Sequence, residues 1–180
     1  MRSCAWLPTA ECRFAGSDTT AIAFRATFYH LMRNPAALEK VRAEIHAAQA
    51  AGALSSPVTY AETMAKLPYV GAAIKEAMRM HPSVGLSMPR YAPEEGIELA
   101  GHFIPKGYRV GLNPAVVHYV KAVFGDDAHH FRPERWMVGD EAVRAMDRCL
   151  LTFGAGTRMC IGKHVSRPRF RAWRPWTVRC

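Results

Sequence analysis

The sequence predicts a mainly α-helical fold with small β-hairpins. Between residues 20 and 80 apolar side chains recur at helical spacing. Between residues 97 and 112 three short apolar segments are separated by glycine and proline turns. Of the 180 residues 49% are hydrophobic and 22% charged, a balance that supports a packed core rather than a disordered chain.

Thr20 to Arg33 carries Ile22, Phe28, Tyr29 and Leu31 with no breaker, which predicts the first helix. Asn34-Pro35 then sets a capping side chain before a proline at the first helical position, and Leu38, Val41 and Ile45 continue at helical spacing up to Gly52. Thr59 and Glu62 have the spacing of a capping box and open a short helix before Pro68. A further helix is predicted from about Pro68 to Met80. After His81-Pro82 the pattern changes to short strands or hairpins at Ile97–Leu99, His102–Ile104 and Arg109–Leu112. Asn113 to Trp136 has weak periodicity and many turn residues, so it reads as mostly irregular, with one short helix near Ala115–Tyr119. Glu141 to Leu151 reads as helical. There are no internal repeats.

The formal charge of +9 raises nucleic-acid and membrane-surface binding, so its distribution matters. Five arginines (Arg167, Arg169, Arg171, Arg174, Arg179) stand in the acid-free stretch after Val165, and the rest of the chain carries only +4. The basicity therefore belongs to the tail, and no nucleic-acid partner is expected. No apolar run is long enough to cross a bilayer, and Met1–Glu11 does not read as a signal peptide, so the chain as written reads as soluble. The five cysteines are odd in number and form no Cys-x-x-Cys pair, which argues against a disulfide framework and leaves room for one reactive thiolate.

The most specific signal is Phe153-Gly154-Ala155-Gly156-Thr157-Arg158-Met159-Cys160-Ile161-Gly162. Gly154, Gly156 and Gly162 let backbone approach a flat ligand, and nearby amide hydrogens can stabilise a thiolate. Cys160 would then be an anionic axial ligand that pushes electron density onto iron and favours O–O cleavage. Arg158 offers a cationic fork to a carboxylate such as a haem propionate. The competing reading is a glycine-rich turn around a buried structural cysteine. Five positions fit Phe-x-x-Gly-x-Arg-x-Cys-x-Gly, and a chance match is on the order of one in ten thousand at ordinary residue frequencies. A zinc pair from Cys160 and His164 lacks two further ligands nearby.

With these residues the chain resembles the cytochrome P-450 family of haem-thiolate monooxygenases, from about Ala15 to Val165. Three more family motifs occur in order. Glu76-Ala77-Met78-Arg79 places an acid and a base three apart, on a helix face opposite Val70, Ile74, Ala77 and Met78. Alone, a solvated surface pair would explain it. The second motif is Phe131-Arg132-Pro133-Glu134-Arg135-Trp136. The resemblance implies that Glu76, Arg79 and Arg135 form a buried triad with a structural role. The third, Ala15-Gly16-Ser17-Asp18-Thr19-Thr20, sets a glycine beside poor helix formers, costing roughly 1 kcal/mol against alanine in a helix interior. The resemblance implies a distorted turn of a long central helix, with Ala15 and Gly16 leaving room for oxygen beside the haem and Asp18 and Thr19 relaying protons. The alternative is that Ser17, Asp18 or Thr19 merely caps a helix beginning there.

By the same resemblance, Arg90 contacts a haem propionate, Ser83 to Leu86 line the substrate pocket, and Phe153, Gly154 and Gly156 belong to the cofactor site. The phrasing Ala-Gly-Ser-Asp-Thr-Thr-Ala-Ile-Ala and His-Pro-Ser-Val-Gly is most similar to fungal members like pisatin demethylase. The expected cofactor is haem b (iron protoporphyrin IX) on Cys160, with electrons from NADPH through a reductase. The expected reaction is insertion of one oxygen atom into an apolar organic substrate. Full-length members imply membrane association at the cytosolic face of the endoplasmic reticulum.

The match begins inside the central helix, so residues 1–165 read as the C-terminal, haem-binding part of the fold, incomplete at its front. Residues 166–180 read as a basic tail outside the family pattern and disordered: Pro168 should stop the helix that follows Cys160 in the family. A frame or splice-site error is the leading explanation, and a basic, tryptophan-bearing surface binder is its rival. The functional alternative is a catalytically inactive fragment with at most weak haem binding.

Overall fold

Helix α1 runs Ala10–Arg33, beginning ten residues before the sequence-predicted start at Thr20. The computed structural model describes residues 10–164, and side chains from Ser17 onward. The break expected at Pro168 and the 166–180 tail lie outside the described residues. Ser17-Asp18-Thr19-Thr20 stands well inside α1, so these residues do not cap a helix beginning at that point. Deeper in the helix Thr27 returns its hydroxyl to the Ala23 carbonyl at 2.9 Å, the back-bond a threonine makes in a helix interior.

Helix α2 spans Pro35–Ala50 with Pro35 in its first turn, but Asn34 makes no side-chain cap. Its amide instead donates to the His30 carbonyl at 2.6 Å, so it closes the end of α1 rather than opening α2. Helix α3, Tyr60–Lys66, carries the full predicted capping box between Thr59 and Glu62. Helix α4 occupies Pro68–Met80, as its sequence pattern predicts. Its amino end is held from outside, because the Glu44 carboxylate on α2 accepts the Tyr69 and Val70 amides at 2.8 and 2.9 Å.

Helix α4 is buried on nearly every side and contributes to all three apolar clusters. Tyr69 and Ala73 pack with Leu31 of α1 and Ala37, Val41 and Ile45 of α2. Ala72 packs with Phe124, Ala128, Trp136 and Met146. Ile74 and Met78 pack with Ala23. A helix buried all round needs an internal partner for every polar group it carries.

The β structure is two antiparallel pairs. Strands β2 (Ile97–Leu99) and β3 (His102–Ile104) form a hairpin, with Ala100 and Gly101 both at positive φ, as a tight two-residue turn requires. It is enclosed by β1 (Met88–Tyr91) paired with β4 (Arg109–Leu112), Met88 opposite Leu112. Sequence reasoning misses β1, because Pro89 argues against a strand; in a two-stranded sheet the proline sits at an edge that tolerates it.

Helices α5 (Pro114–Val117) and α6 (Lys121–Phe124) follow, then a 3₁₀ turn at Pro133–Met137, helix α7 at Asp140–Cys149 and a second 3₁₀ turn at Gly156–Arg158. Only α5 and α7 carry a clear sequence signal. Among the described residues no helix is long and apolar enough to cross a membrane.

Candidate haem-thiolate site

Glu76 sits at the centre of α4 with no exposed surface. Its carboxylate accepts Arg79 Nε and Nη2 at 2.9 and 2.8 Å, a bidentate pair one turn apart. Arg135 Nε donates to Glu76 Oε1 at 2.9 Å, so Glu76, Arg79 and Arg135 lie together at 0 to 1% exposure. The surface-pair alternative is thereby excluded. Two further donors reach the carboxylate: Trp136 Nε1 at 2.9 Å and the Arg132 backbone amide at 3.1 Å. The remaining guanidinium hydrogens go to carbonyls of His118, Phe124, Asp127 and His130 and to the Asp127 carboxylate. Burial raises the Asp127 carboxyl, but Arg135 and Arg132 outweigh it and hold the group below the usual carboxylate range.

The cysteine loop departs from α7. Gly154 and Gly156 adopt φ of +71° and +64°, in the left-handed region that glycine enters without strain. Gly154 N donates to Leu151 O at 2.9 Å, and Cys160 N to Phe153 O at 2.8 Å, closing the loop on its own backbone. Gly162 has ordinary backbone angles, and a methyl there would meet the Cys160 sulfur at 3.6 Å.

Cys160 lines a pocket of about 220 Å³ together with Phe153, Gly154 and Arg158 of its loop, Met78 of α4, and Thr19 and Ala23 of α1. Thr19 and Cys160, 141 positions apart, thus share one cavity. Ser83 and Val84 line it as well, and Ser83 Oγ donates to the Thr19 carbonyl at 2.7 Å. Other sequence-predicted residues fall outside. Asp18 is exposed and beside the pocket in sequence only, Gly156 is exposed, and Arg90 is exposed with its guanidinium turned back to the Met88 and Pro89 carbonyls. Ala15 and Gly16 lie on α1, ahead of the described side chains. Leu86 is 75% exposed.

The donor set suits an iron already held by a macrocycle. Among the described residues no group of three or more His, Cys, Asp or Glu could hold a metal ion, so the Cys160–His164 zinc alternative finds no further ligands. One thiol at a largely apolar cavity would supply one coordination position to an iron whose remaining bonds a macrocycle fills. Arg158 is exposed and lines the pocket.

The sequence matches the family model described as Cytochrome P450 over residues 9–173. The chain belongs to the cytochrome P450 family. Its relatives include the cytochrome P450 monooxygenase ACRTS1 of Alternaria alternata, 48% identical over 85% of this chain and 40% of that protein. The cytochrome P450 monooxygenase cicH of Emericella nidulans is 49% identical over 84% and 30% of the two chains. A pisatin demethylase of Fusarium vanettenii is 41% identical over 84% and 28%, in agreement with the fungal kinship read from the sequence. A zebrafish cytochrome P450 solved with progesterone superposes with a TM-score of 0.73 at 30% identity, covering 91% of this chain and 35% of that one. This cytochrome P450 chain therefore spans between a quarter and two fifths of the curated relatives named. Cytochromes P450 are haem-iron oxidoreductases with a cysteine thiolate on the metal.

Sequence reasoning passes over one residue of this region, His118. It is fully buried between α4 and the start of the cysteine loop. A histidine inside the apolar run Ala115-Val-Val-His-Tyr-Val is its one sequence signal.

Proposed function

We propose that this chain supplies the haem-binding and oxygen-activating part of a monooxygenase that inserts one atom of O₂ into an apolar organic substrate. The observation that carries the reading is the cavity joining Cys160 to Thr19. Haem b, when bound, supplies the iron at which oxygen is activated by electrons from NADPH through a reductase. Full-length relatives in this reading work at the cytosolic face of the endoplasmic reticulum membrane.

The chain's own residues divide the remaining work. Cys160 Sγ, as thiolate, would hold the metal, and the Gly154 and Gly156 turns set its backbone. Arg158, at the rim, pairs with a propionate. Arg90 belongs to the same propionate edge only after its guanidinium leaves the carbonyls it now caps. Phe153, with Met78 and Ala23, gives the cavity an apolar wall that excludes water. Asp18 is exposed and Thr19 half-buried at the pocket, an arrangement in which the carboxyl takes protons from solvent and the hydroxyl delivers them inward. Ala15 and Gly16, one turn before them, are the small residues that leave space for oxygen. Glu76, Arg79 and Arg135 do no chemistry; they fix the segments around the loop.

A second reading has an observation of its own. Cys160 is exposed and Ile161 is 96% exposed, which favours a chain that binds haem weakly and does not turn over. One experiment separates the two. The chain is expressed, loaded with haem, reduced under carbon monoxide and scanned. The expected result is the red-shifted Soret band of a thiolate-ligated haem, absent from Cys160→Ser. A spectrum of free haem in both would overturn the proposal.

A further inference from the structure

We infer that His118 is a positioning residue for the Cys160 loop, a buried bridge that carries the placement of helix α4 to the backbone on which the cysteine stands. The ring has no exposed surface. Its Nε2 lies 2.8 Å from the Leu151 amide, and Nδ1 lies 2.9 Å from the Arg79 carbonyl. An amide can only donate, so Nε2 is the bare nitrogen. A carbonyl can only accept, so Nδ1 carries the hydrogen. The two contacts therefore require one neutral tautomer, and burial together with the neighbouring Arg79 charge favours the neutral ring.

Both ends of the bridge are informative. Arg79 lies in the last turn of α4, where carbonyls have no helical partner. His118 takes the Arg79 carbonyl, and the next residue, Tyr119, donates its hydroxyl to the Met80 carbonyl at 2.6 Å. Arg79 answers with its own side chain, Nη1 donating to the His118 carbonyl at 2.7 Å. Each residue thus binds the other's backbone, a reciprocal clasp across 39 positions. The other end is Leu151, buried where α7 gives way to the loop. From Leu151 the order is handed on by backbone bonds: Leu151 O to Gly154 N, then Phe153 O to Cys160 N. Glu76 and Arg135 lock the segment at residues 132–136, while His118 ties that lock to the cysteine side of the cavity.

The consequence for haem rests on Cys160 being the axial ligand; the mechanical link does not. The test uses the full 180-residue chain with His118→Asn and His118→Gln. Asparagine places an amide donor near the Nδ1 position and offers nothing to Leu151. Glutamine places a carbonyl oxygen near Nε2 and keeps the Leu151 bond, while residue 118 stays tied to α4 through its own carbonyl, which accepts from Arg79, and through Tyr119. Two readouts need no haem: deuterium uptake of the 150–161 segment against that of α2, and the exchange rate of the buried Leu151 amide itself, resolved by NMR. In His118→Asn both should rise on the order of tenfold at the loop while α2 stays unchanged, and His118→Gln should restore them most of the way. Equal loop protection in the two variants, or uptake in α2 rising in step with the loop, would overturn the inference. If the Asn/Gln difference holds but haem gives no thiolate Soret band in the unaltered chain, the link stands and the reading of Cys160 as ligand falls.

Discussion

Glu76 gathers five donors on two oxygens: two from Arg79 and one each from Arg132, Arg135 and Trp136. Replacing it with alanine leaves two guanidinium groups buried without their carboxylate, a loss expected at about 3–5 kcal/mol and read as a fall in the urea midpoint. Arg79→Lys should recover little, because a point charge cannot make the bidentate contact or reach the His118 carbonyl as well. His118 gives this region a pH signature. Burial holds its pKa below the ordinary 6.5; the hydrogen bond to the Arg79 carbonyl opposes this and the Arg79 charge adds to it, so the unfolded chain takes up the proton first. Stability is then full above about 6.5 and declines as pH falls below that value toward the folded-state pKa. His30 is shifted the same way, by burial and then by His81, so both histidines contribute to the decline. Thermal melts between pH 8 and 5 should show it, and His118→Gln should flatten it in part; an unchanged slope would contradict this assignment.

At the level of elements, the local signals and their strengths separate cleanly. Thr59→Ala removes the capping box of α3 and is expected to lower stability by about 1 kcal/mol, measurable by chemical denaturation. Gly111→Ala acts on the outer strand pair: a methyl would come within 2.8 Å of Ser87 Oγ and 2.9 Å of the Met88 backbone, so β1 must shift. A cost of about 1–3 kcal/mol is expected, with faster amide exchange confined to β1 and β4. The Thr59 box, the Pro68 start of α4 and strands β2 to β4 are legible in the sequence because each depends on residues within a few positions of itself. The start of α1 at Ala10 is not, since Ser17, Asp18 and Thr19 have the chemistry of caps and only the family resemblance points to a helix that runs through them. Asn34 misleads for a related reason: its amide can serve the helix before it as well as the one after. Strand β1 and the short α6 owe their form to partners that no local window contains.

Across the whole molecule, α4 is the element that every cluster shares, and the site is legible in proportion to how far side-chain identity alone specifies it. The loop from Phe153 to Gly162 is readable because a phenylalanine, an arginine, a cysteine and glycines, two of them left-handed, stand at a fixed spacing within ten residues. The triad of Glu76, Arg79 and Arg135 is readable as motifs, but its burial is a tertiary fact. His118 leaves almost no trace, because it speaks to backbone atoms at both ends, and any sequence provides those. The carboxylate of Glu76 also has a history in time. Arg132, Arg135 and Trp136 are synthesised 56, 59 and 60 residues after it. At about 5–20 residues per second the wait is roughly 3–12 s. Throughout that interval the Glu76 carboxylate has only Arg79 and water, so α4 cannot withdraw from solvent however well its apolar face is made. Burial of α4 therefore waits on Arg135, the later-made of the triad's two arginines, and a chaperone would meet α4 as a helix still wet on one side.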